Sequence, residues 1–516
     1  MPLRIGRGLA RAASSRRPGG LRVAIMGAGA GGMAMGAALL RAGITSFTIF
    51  DKNDGVGGTW RENTYPGAQC DIRSHLYSFS FAPKRDWSRL YARQPEILAY
   101  LEDVADRCGL RPHLRLRTPL AEARWDDAGQ VWRLRTEDGE LVEADVLVSG
   151  LGMLNVPHFP EIKGLDEFAG PVFHSSRWRH DVDLAGKRVG VIGNGASALQ
   201  FVPEIAGDVG RLSLFQRSAQ WVMPSADRPY TEDEIRRFAR PLGAWLERQR
   251  IFWRYERLTS FRMTDKQAAT RRRFAEANLE RGVPDPELRA KLTPDYPIGC
   301  KRLIQSSAWY PAISRPHVDV VTDGIDRITP AGVVTADGTE HPLDVLVLAT
   351  GFKATDYLCA VDIFGAGGRS LRETWADGAE AYRGVAVSGF PNLFLLYGPN
   401  TNQPGNSIIF VLESQARFVM SAIRRLLRTG AGSLEVRQDA QDRFNREIQA
   451  AMTGTIWDGG CDSYYQDPGG KITTQWPHRA TRYRLLTRRL RASHFTAVPR
   501  TTAVPAPAAA DAAGAT

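Results

Sequence analysis

Two short glycine-rich segments are the first places in this sequence where chemistry could sit. Gly27-Ala28-Gly29-Ala30-Gly31-Gly32 follows an apolar run, Leu21–Met26, and precedes a helical stretch, Met33–Ala42. Gly193-Asn194-Gly195-Ala196-Ser197-Ala198 stands the same way after Arg188–Ile192. In the spacing G-x-G-x-x-G/A, the glycines let the backbone approach a pyrophosphate, and the next helix offers free N–H groups to its charge. The candidates are Gly27, Gly29 and Gly32 at the first turn, and Gly193, Gly195 and Ser197 at the second. Downstream the two turns differ. Asp51 ends the strand after the first, where a carboxylate accepts hydrogen bonds from an adenosine ribose such as FAD or NAD carries. The matching place after the second turn reads Gln216-Arg217-Ser218. A guanidinium there clamps the 2′-phosphate of NADPH, which a carboxylate would repel.

The same elements surround both turns. Each has a second strand (Phe47–Asp51; Leu212–Gln216), then much later an Asp-Gly turn (Asp138-Gly139; Asp337-Gly338). Each closes on a D-V-L-V run, Asp145–Ser149 in the first copy and Asp344–Leu348 in the second. Continuous Val/Leu/Ile runs of this kind are strands buried on both faces of a parallel sheet. One G-x-G-x-x-G is weak evidence; two in the same strand–turn–helix context are much stronger. The expected fold is α/β, with two Rossmann-type dinucleotide-binding domains and a helical insertion. The first domain is expected over 21–156 and 386–492, and the second over 157–222 and 297–385. The insertion, 223–296, has three charged helical stretches: Glu232–Arg240, Trp245–Arg257 and Lys266–Arg281. A further helix is expected over Ser407–Leu427, capped by Gly430.

Composition narrows the class of function. At 516 residues, two or three domains are the natural expectation. The net charge of +11 is confined to the ends. Residues 1–20 hold five arginines and no acid, and residues 471–516 hold eight basic residues against Asp511 alone. The body is near neutral and lacks the basic stripe of a nucleic-acid binder. No apolar run is long enough for a transmembrane helix. Residues 1–20 lack the apolar h-region of a secretory signal and are expected to be a disordered basic arm. The Ala/Pro/Thr-rich end, 493–516, is expected to be a disordered tail. The five cysteines (Cys70, Cys108, Cys300, Cys359, Cys461) form no C-x-x-C pair. That spacing points away from a metal site and from a dithiol redox centre, and toward a reducing compartment, the cytoplasm. Nothing in the sequence specifies an oligomeric state.

From Gly57 onward the sequence resembles the Baeyer–Villiger monooxygenases within the flavin-containing monooxygenase group. Gly57-Gly58-Thr59-Trp60, Tyr65-Pro66-Gly67 and Asp71 match [AG]-G-x-W-x4-[FY]-P-[GM]-x3-D. Phe168, Gly170, His174 and Trp178 match F-x-G-x3-H-x3-W; the next residue is Arg179, where the family usually has Pro or Asp. Ala349-Thr350-Gly351-Phe352, Gly299-Cys300-Lys301-Arg302 and Gly398-Pro399-Asn400 resemble further segments of the family. The resemblance covers about residues 21–490 and is near the 4-hydroxyacetophenone and cyclohexanone monooxygenase types.

That resemblance implies FAD at the first turn and NADPH at the second. Reduced flavin would capture O2 as a C4a-peroxide that attacks a ketone as an anion. A fixed positive charge is then needed nearby, and Arg302 matches the family's arginine, oriented by Asp71. Lys301 matches a residue that joins Arg217 and Ser218 on the 2′-phosphate. Gly58, Thr59, Trp60, Tyr77 and Asn400 fall near the flavin, and His174 holds the linker between domains. The partners implied are a small-molecule ketone and O2. Arg179 keeps open an oxygenase of sulfur or nitrogen, which needs a protonated peroxide and less from Arg302. A flavin-binding module without turnover is the remote third reading.

Overall fold

The computed structural model describes residues 20–258, 261–461 and 463–501. Its first sheet has five parallel strands in the order Leu393–Leu395, Val146–Ser149, Val23–Met26, Phe47–Phe50, Leu114–Arg115. Val23–Met26 and Val146–Ser149 are buried at every position, as continuous apolar runs require. Val23 and Ile25 face the helices Ala30–Arg41 and Ile408–Thr429. Ala24 and Met26 point the other way, toward Leu120, Trp132 and Ile363 of a smaller sheet. The long helix ends at Gly430 in the left-handed conformation (φ 67°), which a residue without Cβ adopts freely.

The second sheet repeats the plan: Val318–Val321, Arg211–Phe215, Arg188–Ile192, Val345–Leu348, Val172–His174, all parallel. A three-stranded antiparallel sheet, Ile325–Thr329, Gly332–Thr335 and Glu340–Pro342, covers one face. The repeat extends to single hydrogen bonds. The Asp at the head of each D-V-L-V run accepts the backbone N–H of the residue just before or opening the glycine-turn strand. These bonds run from Arg22 to Asp145 and from Arg188 to Asp344, both at 2.8 Å. In each Asp-Gly turn a threonine hydroxyl donates to the aspartate: Thr136 to Asp138, and Thr335 to Asp337. The aspartates thus start and register the strand that must lie beside the nucleotide strand.

The insertion reaches beyond the domain it interrupts. Its helix Pro241–Leu258 packs Ile251 and Phe252 on Leu76 and Ala480 of the first domain. The Arg248 guanidinium is part-buried there, donating to the carbonyls of His75 (2.9 Å) and Ser78 (2.8 Å). Glu256 accepts from the N–H of Ala480 (3.0 Å) and the hydroxyl of Thr481 (2.7 Å). The following helix, Asp265–Gly282, packs Leu279 on the second domain's core. The insertion therefore braces one domain against the other.

Three expectations change. Asp362–Phe364 pairs in parallel with Leu120–Asp126, so 353–385 packs with the first domain rather than the second. Its three-residue strand, followed at once by Gly365, carried no pattern to say which sheet it would join. Within the expected tail, Phe495–Pro499 is a strand paired with Ala431–Val436, with Phe495 buried; the arm (1–19) and 502–516 lie outside the described residues. Cys300 and Cys461 are joined in a disulfide, a pairing that residue spacing cannot reveal across 161 positions. No helix among the described residues is long and apolar enough to cross a membrane.

Candidate functional site

One cavity of about 1220 Å³ runs from Gly27, Gly29 and Asp51 past Trp60, Asp71 and Tyr77 to Gly193, Gly195, Arg217, Lys301 and Arg302. At its first end, Gly27 (φ 93°) lies against the Gly150 carbonyl that ends the D-V-L-V strand; a Cβ there would come within 2.9 Å of it. At the other end Gly193 (φ 104°) does the same against the Ala349 carbonyl, at 2.5 Å. Gly29 and Gly195 are the N-caps of helices Ala30–Arg41 and Ala196–Ile205, and neither helix has a side-chain cap. Two helix N-termini thus present unsatisfied N–H groups beside the cavity, as two pyrophosphates require. Gly195 has nothing within 4 Å of a would-be Cβ, so its backbone is open to close approach. The residues present fit two dinucleotides.

Gly32 works differently. It is absent from the cavity wall, and a Cβ on it would overlap the Gly27 carbonyl oxygen, which is backbone and has no room to move. Gly32→Ala should therefore open the first turn and cost about 1–3 kcal/mol or more. Flavin-to-protein absorbance of the purified variant, with its urea midpoint, checks this; full flavin content would contradict it.

Asp51 is buried (8%) rather than a solvated strand end. Its carboxylate accepts from the N–H of Ala28 (2.6 Å) and Asn53 (2.8 Å), which ties the glycine turn to the second strand. Each oxygen keeps a further lone pair for a ribose hydroxyl. Burial pushes the Asp51 carboxyl up from its ordinary value, and the two N–H donors oppose that shift.

The G-G-T-W loop closes over this end. Gly58 (φ 52°) abuts Gly29, with a would-be Cβ at 2.9 Å from its Cα. Thr59 starts a short helix, and the Trp60 indole donates to the Tyr77 hydroxyl at 2.9 Å. Burial pushes the Tyr77 phenol far up, so it stays neutral. The Y-P-G segment meets the second domain: a Cβ on Gly67 (φ 76°) would lie 2.6 Å from the Gln200 carbonyl. Tyr65 donates to the Gln200 side chain at 3.0 Å, and Gln200 in turn donates to the Gln69 carbonyl at 2.9 Å. This clamp between domains was not anticipated, because nothing in one sequence links position 67 to position 200.

Asp71 follows a stretch held straight by backbone bonds, Cys70 N–H to Ala92 (3.0 Å) and Gln94 N–H to Ala68 (2.8 Å). Its carboxylate is hydrogen-bonded and ion-paired to the Arg302 guanidinium. The Arg302 side chain is 41% accessible, but that surface lines the cavity. The carboxylate of Asp71 raises Arg302 well above its ordinary value, so it remains a cation. Tyr397, Tyr464 and Tyr465 also line this part, and burial pushes Tyr397 and Tyr465 up and keeps them neutral. The result is a fixed charge beside the neutral phenols of Tyr397 and Tyr465.

At the second turn, Lys301 donates to the Ser218 hydroxyl at 3.0 Å and sits over the Tyr296 ring at 4.6 Å. Arg217 stands next to Ser218, exposed and on the cavity wall. Asn194, inside the turn, donates to Gln216 (2.9 Å) and to the Ser218 carbonyl (2.8 Å), so the turn itself places these residues. Ser197 lies in the first turn of the helix, on the cavity wall.

Other candidates stand outside the cavity. His174 is buried between Phe159 and Phe352, and Ser176 N–H donates to its Nδ1 at 3.1 Å. Burial lowers His174 to about 4, so the ring is neutral and suited to hold the linker. Asn400 does not reach the cavity: its amide donates to the carbonyls of Ile472 (2.8 Å) and Gln475 (3.0 Å). The wall there is formed instead by Asn402, Gln403 and Asn406, a few positions further along. Arg179 pairs with Asp181 at the surface, away from the cavity wall.

The flavin-binding monooxygenase-like family matches residues 20–274. A Baeyer-Villiger monooxygenase of Streptomyces coelicolor is 45% identical over 475 residues, 91% of this chain and 91% of that protein. Among solved structures, NADP+-bound cyclohexanone monooxygenase from Rhodococcus sp. Phi1 has a TM-score of 0.83 at 30% identity, covering 93% of this chain and 99% of that one. OTEMO in complex with FAD and NADP has a TM-score of 0.83 at 28% identity, with coverage of 93% and 99%.

Proposed function

Because the chain belongs to the Baeyer–Villiger monooxygenases of the flavin-binding monooxygenase-like family, we propose that it uses FAD and NADPH to insert one atom of O2 next to a ketone carbonyl, giving an ester or lactone. The observation that carries this reading is the Arg302–Asp71 pair opening into the cavity between the two glycine turns. FAD, when bound, supplies the hydride acceptor and the centre at which O2 is activated.

The protein's residues divide the remaining work. Gly27, Gly29 and Gly32 shape the turn that receives the FAD pyrophosphate, and Asp51 holds its adenosine ribose. Gly58, Thr59, Trp60 and Tyr77 close over the flavin side of the cavity. Gly193, Gly195 and Ser197 receive the NADPH pyrophosphate, while Arg217, Ser218 and Lys301 gather on its 2′-phosphate. Oxygen attack on a ketone carbonyl needs a nucleophile that keeps its negative charge. Arg302 answers that need, because a guanidinium holds its protons at every pH of interest. Asp71 aims Arg302. The neutral phenols around the pair exclude water without competing for the charge. A cytoplasmic location goes with the demand for NADPH.

Product analysis by mass spectrometry tests this reading. The protein, NADPH and O2 are supplied with cyclic, aromatic and linear ketones and with thioethers. Ester or lactone from at least one ketone class is expected; sulfoxide with no ester from any ketone would overturn the proposal.

A further inference from the structure

The disulfide lies beside the site. Cys300 immediately precedes Lys301 and Arg302, and Cys461 stands two positions before Ser463, which with Tyr464 and Tyr465 lies on the cavity wall. Their Cα atoms are 6.2 Å apart, and both residues are buried. Around the bond, a would-be Cβ on Gly299 sits 3.2 Å from the Ile456 side chain, and the Ile456 N–H donates to the Phe261 carbonyl at 2.9 Å. The Phe261 ring packs on Trp457 at 5.1 Å between centroids.

Both segments are irregular, 299–303 and 453–461; the one regular tie next to Arg302 is the two-residue strand Ile304–Gln305, paired with Val222–Met223. A charged group that must act on a reacting atom has to be held within roughly 0.5 Å. Irregular backbone and a two-residue strand on one side supply little of that precision on the other side of Arg302, where the disulfide lies.

We propose that the Cys300–Cys461 bond is the positioning element for Arg302. Closed, it holds the segment before Arg302 against 455–461, which keeps the guanidinium on Asp71 and Tyr464 and Tyr465 beside it. Opened, it lets the two segments part. The inference rests on the role given to Arg302 above. Closing removes two protons and two electrons from the two thiols; hydrogen peroxide as oxidant takes them up and becomes two waters. A dithiol reductant opens the bond by exchange, ending as its own disulfide while Cys300 and Cys461 take up two protons. In a reducing compartment, bonds of this kind are seldom permanent staples and more often respond to redox state.

The test begins with the purified holoenzyme, denatured and alkylated. Three reactive thiols are expected, Cys70, Cys108 and Cys359, and all five cysteines after dithiothreitol. On the native holoenzyme, reduction should raise hydrogen exchange in 455–461, weaken NADP+ binding, and lower ester formed per NADPH on the order of tenfold or more. Hydrogen peroxide should restore all three. Cys300→Ser/Cys461→Ser should match the reduced enzyme and ignore dithiothreitol, whereas Cys359→Ser should behave as the parent. If the double variant fails to fold, the dithiothreitol arm on the parent enzyme still decides. Five alkylated thiols before reduction would overturn the proposal, as would a reduced enzyme with unchanged exchange and unchanged coupling. The thiol count and the exchange do not involve ester formation, so they stand apart from any failure of the role given to Arg302.

Discussion

Replacing Arg302 with Ala should leave NADPH able to bleach the flavin while ester formation falls on the order of 10³-fold or more. Removal of one neutral donor from an oxyanion site typically costs about 10²–10³ in kcat. Here a whole charge goes, and the Asp71 carboxylate that it neutralises stays behind, facing the cavity. An unpaired carboxylate repels the anionic nucleophile that the reaction needs, so the loss should exceed that of a single donor. NADPH oxidation should continue and end as hydrogen peroxide. Arg302→Lys keeps the charge but loses the fork that matches a carboxylate, and should recover only part of the activity. Stopped-flow reduction, product analysis and peroxide assay together separate the two half-reactions. Ester formation by the Ala variant within tenfold of the parent would remove Arg302 from the chemistry. A loss of flavin reduction as large as the loss of ester would instead make it a residue of NADPH binding.

How much of this was open to the sequence depends on the range over which each constraint acts. The glycine turns and the D-V-L-V strands are local patterns, and the structure seats both turns at one cavity. Asp51 was legible by position, but its hold on Ala28 N–H was not, because that bond exists only once the two strands pair. The paired Asp145 and Asp344 stand in the repeated run itself, and their bonds to Arg22 and Arg188 explain why the repeat begins with Asp. Contacts between distant segments were the hidden part. Gly67 against Gln200, Glu256 under Ala480, and Cys300 with Cys461 each join positions with no shared period or spacing. Asn400 shows the same limit at short range. Its loop was marked as part of the site, yet the bend of the chain turns Asn400 inward and Asn402 to the cavity. The insertion was visible as charged helices, but its bracing of the first domain depends on part-buried Arg248 and buried Glu256, which composition presents as ordinary surface charges.

Arg217 carries the second large effect, on the choice between nucleotides. It stands two residues past the strand Arg211–Phe215, beside Ser218, to which Lys301 donates at 3.0 Å. The two cations and the hydroxyl form a set that fits a dianionic phosphate, and NADH lacks that group. A charge-assisted hydrogen bond contributes about 1.5–3 kcal/mol, and every 1.4 kcal/mol is about tenfold. Arg217→Ala should therefore raise the KM for NADPH roughly 10- to 100-fold and leave kcat nearly unchanged, since the 2′-phosphate is gripped equally before and during hydride transfer. Kinetics with NADH should barely move. Arg217→Ala/Lys301→Ala should go further and bring the two nucleotides close to parity. Added salt should erode the parent's preference for NADPH, and do so less in the variants, because an exposed phosphate contact is screened. Steady-state kinetics with both nucleotides at two ionic strengths gives the answer. An Arg217→Ala variant that loses NADH and NADPH activity alike would make Arg217 a support of the turn rather than a reader of the phosphate, and selection would then fall to Lys301 and Ser218.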